Sequence, residues 1–72
     1  MEALIEEILQ LVKTKMREQA AYSQASYRAL IDETIIYFHE KGKMTDDDNE
    51  KFIIDRLMET WEYVQEEFSE KN

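Results

Sequence analysis

Almost nothing in this sequence interrupts a regular backbone, because it contains no proline and one glycine, Gly42. Proline and glycine are the residues that most strongly end helices and strands. Good helix formers (Ala, Leu, Glu, Gln, Lys, Arg and Met) are abundant, and apolar residues recur at helical spacing. The sequence therefore predicts an all-α fold.

The length of the chain limits the core that it can build. With 72 residues it is one domain at most. A chain of this size buries only about 60% of the surface that its unfolded form exposes, so many such domains rely on disulfides, a metal or a partner subunit. Disulfides are excluded because there is no Cys, and the one histidine, His39, indicates no metal cluster. Efficient helix packing and self-association remain as sources of stability.

The first predicted helix runs from about residue 2 to about residue 19. Its apolar residues fall in one arc of the helical wheel, and Lys15 is the one polar residue within that arc. The arc consists of Leu4, Ile5, Ile8, Leu9, Leu11, Val12 and Met16. Acidic residues near the start and basic residues near the end complement the helix dipole.

Residues 20–24 contain no strong helix breaker, so one long helix from residue 2 to Lys41 is an alternative. We favour a break here because the apolar seam of the first helix does not continue into the next segment. Either Ser23 or Ser26 is a suitable N-cap for a second helix.

The second predicted helix covers about residues 24–41, and Gly42 suits the left-handed position that follows a helix. Its main apolar stripe, flanked by Leu30, Thr34 and Tyr37, is Tyr27, Ile31, Ile35 and Phe38. A second stripe lies well round the cylinder and consists of Tyr22, Ala25, Ala29 and Ile36. A helix that is apolar on much of its circumference is covered on two sides. Such a helix is either the central one of the bundle or meets a second subunit. In the second case the second stripe mediates self-association, and we expect a homodimer as the product.

The third predicted helix covers about residues 46–69, with Thr45 as its N-cap and Asp48 completing a weak capping box. Its apolar face is Ile53, Ile54, Leu57, Met58, Trp61, Val64 and Phe68. Short connections make consecutive helices antiparallel neighbours, so the expected architecture is a small three-helix bundle.

The sequence offers little to an enzyme. A metal site in a bundle favours Glu three residues before His, but Ile36 holds that position relative to His39. A calcium-binding loop starting at Asp46 needs Gly at its sixth position and Glu at its twelfth, where the chain has Lys51 and Leu57. No phosphate-binding loop or nucleophile motif is present. We expect a non-enzymatic protein without a cofactor or a bound metal.

Acidic charge is concentrated at the end of the sequence. Residues 44–72 hold ten of the 17 acidic residues and three of the nine basic ones, a net charge of −7 against −1 for residues 1–43. Acids near the end of a helix oppose its dipole, so solubility or a partner has to account for them. The predicted partner-binding residues on the last helix are Phe52, Glu59, Glu62, Tyr63, Glu66 and Glu67.

These patterns favour two functions. One is a protein–protein interaction module or small regulator. The other is an acidic inhibitor or nucleic-acid mimic, as in phage or bacterial conflict systems, that occupies a basic site on an enzyme. Both imply a protein partner with a basic surface. Direct binding to nucleic acid or to a membrane surface is not expected without a basic stripe, and no apolar run approaches the ~18 residues of a membrane span. We expect a cytoplasmic location.

Overall fold

The computed structural model describes residues 2–69, which form four α-helices and no strand within that range. The helices are α1 (Glu2–Gln19), α2 (Gln24–Glu40), α3 (Glu50–Glu59) and α4 (Trp61–Ser69). The predicted all-α class is confirmed, and the first two helices begin and end within a residue of their expected bounds. The third predicted helix is wrong in two respects, since it begins four residues late and is divided in two.

The helices α1 and α2 pack against each other as antiparallel neighbours. Glu7, near the start of α1, pairs with Lys43, just beyond the end of α2, at 3.4 Å between Oε2 and Nζ. At the start of α2, Ser23 is the N-cap, and its hydroxyl accepts a hydrogen bond from the Ser26 amide. The break predicted between these helices is therefore confirmed, and one continuous helix is excluded.

The remaining two helices, α3 and α4, run alongside α1 and parallel to it. Arg56 of α3 pairs with Glu2 at the start of α1, with 3.0 Å between Nη1 and Oε2. Lys13, in the second half of α1, pairs with Glu67 of α4, with 2.9 Å between Nζ and Oε1. The path of the chain is thus up along α1, down along α2 and up again along α3 and α4.

One apolar core lies between the helices. The main stripe predicted on α2 is buried, as are most of the apolar residues predicted on α1. The buried apolar side chains are Ile5, Ile8, Leu9, Val12, Met16, Tyr27, Leu30, Ile31, Ile35, Phe38, Met44, Ile53, Leu57, Trp61 and Val64. The buried Thr34 hydroxyl donates to the Leu30 carbonyl at 2.7 Å, so its polar group is satisfied.

The helix α1 ends in a Schellman motif with alanine at the left-handed position. Ala20 has φ of 51°, and its amide donates to the Arg17 carbonyl at 3.3 Å. The next amide, of Ala21, donates to the Met16 carbonyl at 3.0 Å. Glycine usually fills this position, because a Cβ is disfavoured in left-handed backbone. The local sequence gave no glycine signal for this stop.

The helix α2 ends in the same motif with the expected glycine. Gly42 has φ of 74°, and its amide donates to the His39 carbonyl at 3.1 Å. The Lys43 amide donates to the Phe38 carbonyl at 2.8 Å. A Cβ placed on Gly42 would meet no other atom within 4 Å, so a substitution there changes the backbone energy alone.

These two stops predict opposite effects from reciprocal substitutions. We expect Ala20→Gly to raise the free energy of unfolding and Gly42→Ala to lower it, each by about 0.5–1 kcal/mol. The reason is that left-handed backbone has a steric cost for alanine, because of its Cβ, and none for glycine. Urea denaturation of the two variants beside the natural protein measures both changes. Changes of the same sign in both variants would contradict the prediction.

The segment before α3 forms a turn instead of the predicted first helical turn. The Thr45 amide donates to Asp48 Oδ2 at 2.9 Å, and the Asp47 amide donates to Thr45 Oγ1 at 3.3 Å. The first of these bonds is one of the two bonds of a capping box, but the Asp48 amide donates to the Thr45 carbonyl at 3.1 Å instead of to its hydroxyl, so the segment closes as a turn. Asn49 is the N-cap of α3, where its Oδ1 accepts from the Phe52 amide at 3.1 Å. The prediction of Thr45 as the N-cap is therefore wrong.

The chain breaks between α3 and α4 at Thr60, where two backbone carbonyls accept hydrogen bonds from side-chain hydroxyls. The Thr60 Oγ1 donates to the Arg56 carbonyl at 2.9 Å, a bond that tends to bend helices. The Leu57 carbonyl accepts the Tyr27 hydroxyl at 2.6 Å and the Thr60 amide at 3.1 Å. An uninterrupted helix would offer that carbonyl to the Trp61 amide.

Tyr27 is fully buried at this break. Its ring lies 5.0 Å from the Trp61 ring, measured between centroids, and its hydroxyl reaches the Leu57 carbonyl. Burial raises the pKa of the Tyr27 hydroxyl to about 12. The neutral hydroxyl is thus a structural hydrogen-bond donor that joins α2 to the junction of α3 and α4.

Candidate interaction surface

Three exposed carboxylates follow one another across the junction of α3 and α4. We call Glu59, Glu62 and Glu66 the acidic ridge. Residues three or four apart in a helix are surface neighbours, and Thr60 between the first two keeps near-helical backbone (φ −82°, ψ −8°). Within residues 2–69, no side chain forms a hydrogen bond or an ion pair with these three carboxylates. The ridge is therefore open to solvent and to a partner.

An aromatic side chain accompanies the ridge. Tyr63 is 75% exposed, the highest value among the large apolar residues of the described range. Phe52, its predicted companion, is 41% exposed, and the Arg56 guanidinium lies over its ring at 5.8 Å. Tyr63 is thus freely presented beside the ridge, whereas Phe52 is partly covered by a side chain of its own helix.

Glu67 has a different environment from the ridge. Its carboxylate pairs with Lys13 of α1, whose side chain is only 15% exposed. This pair holds α4 against α1, which gives one of the late acidic residues a structural role. Sequence reasoning could not separate Glu67 from Glu66, because neighbouring residues on a helix point about 100° apart and only the packing decides which one meets α1.

The residues predicted to mediate self-association do not form one uniform stripe. Ala25, Ala29 and Ile36 are exposed on α2. Tyr22 lies before α2 begins and packs against Phe68 of α4, with 4.9 Å between ring centroids. Tyr22 therefore takes part in the packing of α4 within the molecule.

A second apolar surface, which sequence reasoning missed, lies between α1 and α2. This is a shallow groove with a cavity of about 550 Å³ at one end and Leu11 and Tyr37 along its floor. Leu11 is half-buried, and Tyr37 is 46% exposed although it flanks the main stripe of α2. Lys15 also lines the groove. Its position inside the apolar arc of the first helix was the one signal that could have marked this surface.

His39 contacts a carboxylate of the next helix. Its Nε2 lies 3.1 Å from Oε1 of Glu50, the first residue of α3. This contact joins the end of α2 to the start of α3. In the described part of the chain, no group of three or more His, Cys, Asp or Glu side chains is arranged to hold a metal ion.

None of the helices described in residues 2–69 combines the length and the apolar character needed to cross a bilayer. Comparison with protein-family models, with curated proteins and with solved structures finds no match to this chain.

Proposed function

We propose that this protein is a small, non-enzymatic interaction module that binds a partner with a basic surface through the acidic ridge and Tyr63. The observation that carries the proposal is a group of three carboxylates without a partner among residues 2–69, beside a tyrosine that is 75% exposed. Tyrosine is enriched at protein interfaces because it combines apolar area with a hydrogen-bonding hydroxyl. Aligned carboxylates attract and orient a basic partner.

The arrangement of the basic residues supports this choice of surface. Lys13, Lys43 and Arg56 each pair with a carboxylate of another segment, so they neutralise acids at the contacts between elements. Lys51 pairs with Asp55 one turn away on α3. No base lies between Glu59 and Glu66 in the sequence, and no basic side chain of the described residues pairs with the three carboxylates of the ridge.

The test is affinity capture from cells of the native host, followed by mass spectrometry. We expect a protein with a basic patch to be recovered, and its recovery to fall about tenfold or more with the variant Glu59→Gln/Glu62→Gln/Glu66→Gln. Recovery should also fall when the salt concentration rises from about 0.15 M to about 1 M, because the Debye length shrinks from about 8 Å to about 3 Å.

A matched control carries the same change of charge elsewhere on the chain. Glu18→Gln/Glu40→Gln/Asp46→Asn removes three exposed carboxylates outside the ridge. The control should recover the partner nearly as well as the natural protein. If recovery of the partner falls equally in both variants, the effect depends on net charge and not on the ridge. If recovery falls in neither variant, the ridge is not the binding surface.

The alternative function is inhibition of a nucleic-acid-binding enzyme by mimicry. The observation that favours it is that the ridge is a row of charges of one sign, with three carboxylates over about 10 Å at a rise of 1.5 Å per residue. A DNA strand is also a row of negative charges, with its phosphates more closely spaced at about 3.4 Å along the axis. Double-stranded DNA added during capture distinguishes the two functions. A mimic occupies the DNA-binding site of its partner, so DNA should displace it. A module that binds outside such a site should be retained.

A further inference from the structure

The groove between α1 and α2 has apolar residues at its centre and mixed charges at its ends. Leu11 and Tyr37 line both halves of the groove. Glu7 and Lys43 lie at one end, and Lys15 and Glu33 lie at the other. This chemistry differs from that of the acidic ridge, which offers one sign of charge only.

The charges on each helix are placed symmetrically about its central apolar residue. On α1, Glu7 lies four residues before Leu11, and Lys15 lies four residues after it. On α2, Glu33 and Lys41 hold the same positions about Tyr37, and Lys41 Nζ lies 5.7 Å from the centre of the Tyr37 ring. Residues four apart share a helix face, so both helices present the order Glu, apolar, Lys along the groove.

We propose that this groove is the surface on which a second copy of the chain docks, turned end for end about a two-fold axis. A two-fold interface brings the same patch of both subunits together. With the helices reversed, Glu7 lies opposite Lys15 of the second copy, and Glu33 lies opposite Lys41 of the second copy. The four charges spaced about Leu11 and Tyr37 then each meet an opposite charge, with Leu11 and Tyr37 enclosed at the centre.

The charges that would form these contacts are available. Among the described residues, Lys15 and Glu33 have no ion-pair partner within the subunit. Glu7 pairs with Lys43, but both side chains remain more than half exposed (56% and 53%). Such surface pairs contribute little to stability, so Glu7 can exchange its partner at low cost.

The size of the face is adequate for a dimer. The molecule measures 41 × 21 × 19 Å along its principal axes. Most of its long face has to be covered to reach the ~800 Å² that each partner buries in a standard interface, so the contact extends beyond the groove itself. A dimer through this groove leaves the acidic ridge, on α3 and α4, as a separate surface, so the two interactions can be tested independently.

Sedimentation equilibrium over a dilution series tests the proposal with two neighbouring residues of α2. Tyr37 lines this groove, whereas Ile36 lines the groove between α2 and α3, and both are exposed (46% and 59%). We expect a dimer whose dissociation constant rises about tenfold or more in Tyr37→Glu and little in Ile36→Glu, because only the first places a charge in the enclosed centre. Circular dichroism checks that both variants remain helical.

Two outcomes would overturn the proposal. The first is a natural protein that stays monomeric at high micromolar concentration. The second is a dimer disrupted by Ile36→Glu and not by Tyr37→Glu, which would place self-association on the side of α2 that carries Ala25, Ala29 and Ile36.

A charge exchange tests the end-for-end arrangement without changing the apolar centre. Glu7→Lys alone puts two lysines opposite each other at both ends and should weaken the dimer about tenfold. Adding Lys15→Glu restores opposite charges and should recover most of the affinity. If the second change instead weakens the dimer further, the two copies do not lie with α1 against α1.

Discussion

Tyr27→Ala is expected to remove roughly half of the protein's free energy of unfolding. Removing a fully buried aromatic side chain costs about 3–5 kcal/mol, since the transfer free energy is lost and a cavity remains. A domain of this length has a total stability of roughly 4–11 kcal/mol. The substitution also removes the ring contact with Trp61 and the hydrogen bond to the Leu57 carbonyl, so three helices lose a shared anchor.

Tyr27→Phe separates the hydrogen bond from the packing. The ring and its contact with Trp61 remain, while the donor to the Leu57 carbonyl is lost. We expect the free energy of unfolding to fall by about 1–2 kcal/mol, because that carbonyl keeps the Thr60 amide as one partner. Urea denaturation followed by circular dichroism measures both variants. If Tyr27→Phe is as damaging as Tyr27→Ala, the stabilising role assigned to the packing of the ring is wrong.

The part of the fold that sequence predicts well is the part set by local chemistry. The apolar arc of α1, the Ser23 cap and Gly42 each act within a few residues, and the bounds of α1 and α2 follow from them. Ala20 shows the limit of this reasoning. An alanine holds left-handed backbone there because the hydrogen bonds and packing of the whole turn outweigh its own preference.

The division of the third predicted helix depends on a contact that the sequence does not reveal. The residues from Glu50 to Ser69 carry a continuous apolar stripe with no proline or glycine, so the pattern predicts one helix. The break at Thr60 involves the hydroxyl of Tyr27, which lies 30 residues before Leu57 in the chain. Spacing rules describe neighbours along a helix and contain no information on such a bond.

The candidate site was predictable to a similar extent. Charge counting located the acidic face, and Glu59, Glu62, Tyr63 and Glu66 are indeed exposed. The pairing of Glu67 with Lys13 was not predictable, because it depends on how α4 lies beside α1. The groove between α1 and α2 was missed because its apolar residues belong to the same arcs that form the core, and only the packing shows which edge stays open.

Raising the pH is expected to remove the extra stability that tyrosine gives at position 27 compared with phenylalanine. The pKa of the Tyr27 hydroxyl is 10.0 in the unfolded chain and about 12 in the folded protein. The folded state therefore holds this proton more tightly than the unfolded chain does. The stabilisation from the protonated hydroxyl is fully present below about pH 10. Between about pH 10 and about pH 12 the unfolded state ionises first, so the natural protein loses about 2–3 kcal/mol of stability from this group.

The comparison with Tyr27→Phe isolates this effect, because the two proteins differ only in the Tyr27 hydroxyl. Near neutral pH the natural protein should be the more stable by about 1–2 kcal/mol, and the two stabilities should cross near pH 11, beyond which the variant is the more stable. Urea denaturation from about pH 8 to about pH 12 measures the difference directly. A difference that stays constant over this range would mean that the hydroxyl ionises as readily in the folded protein as in the unfolded chain, and that the bond to Leu57 does not depend on a neutral donor shielded from water.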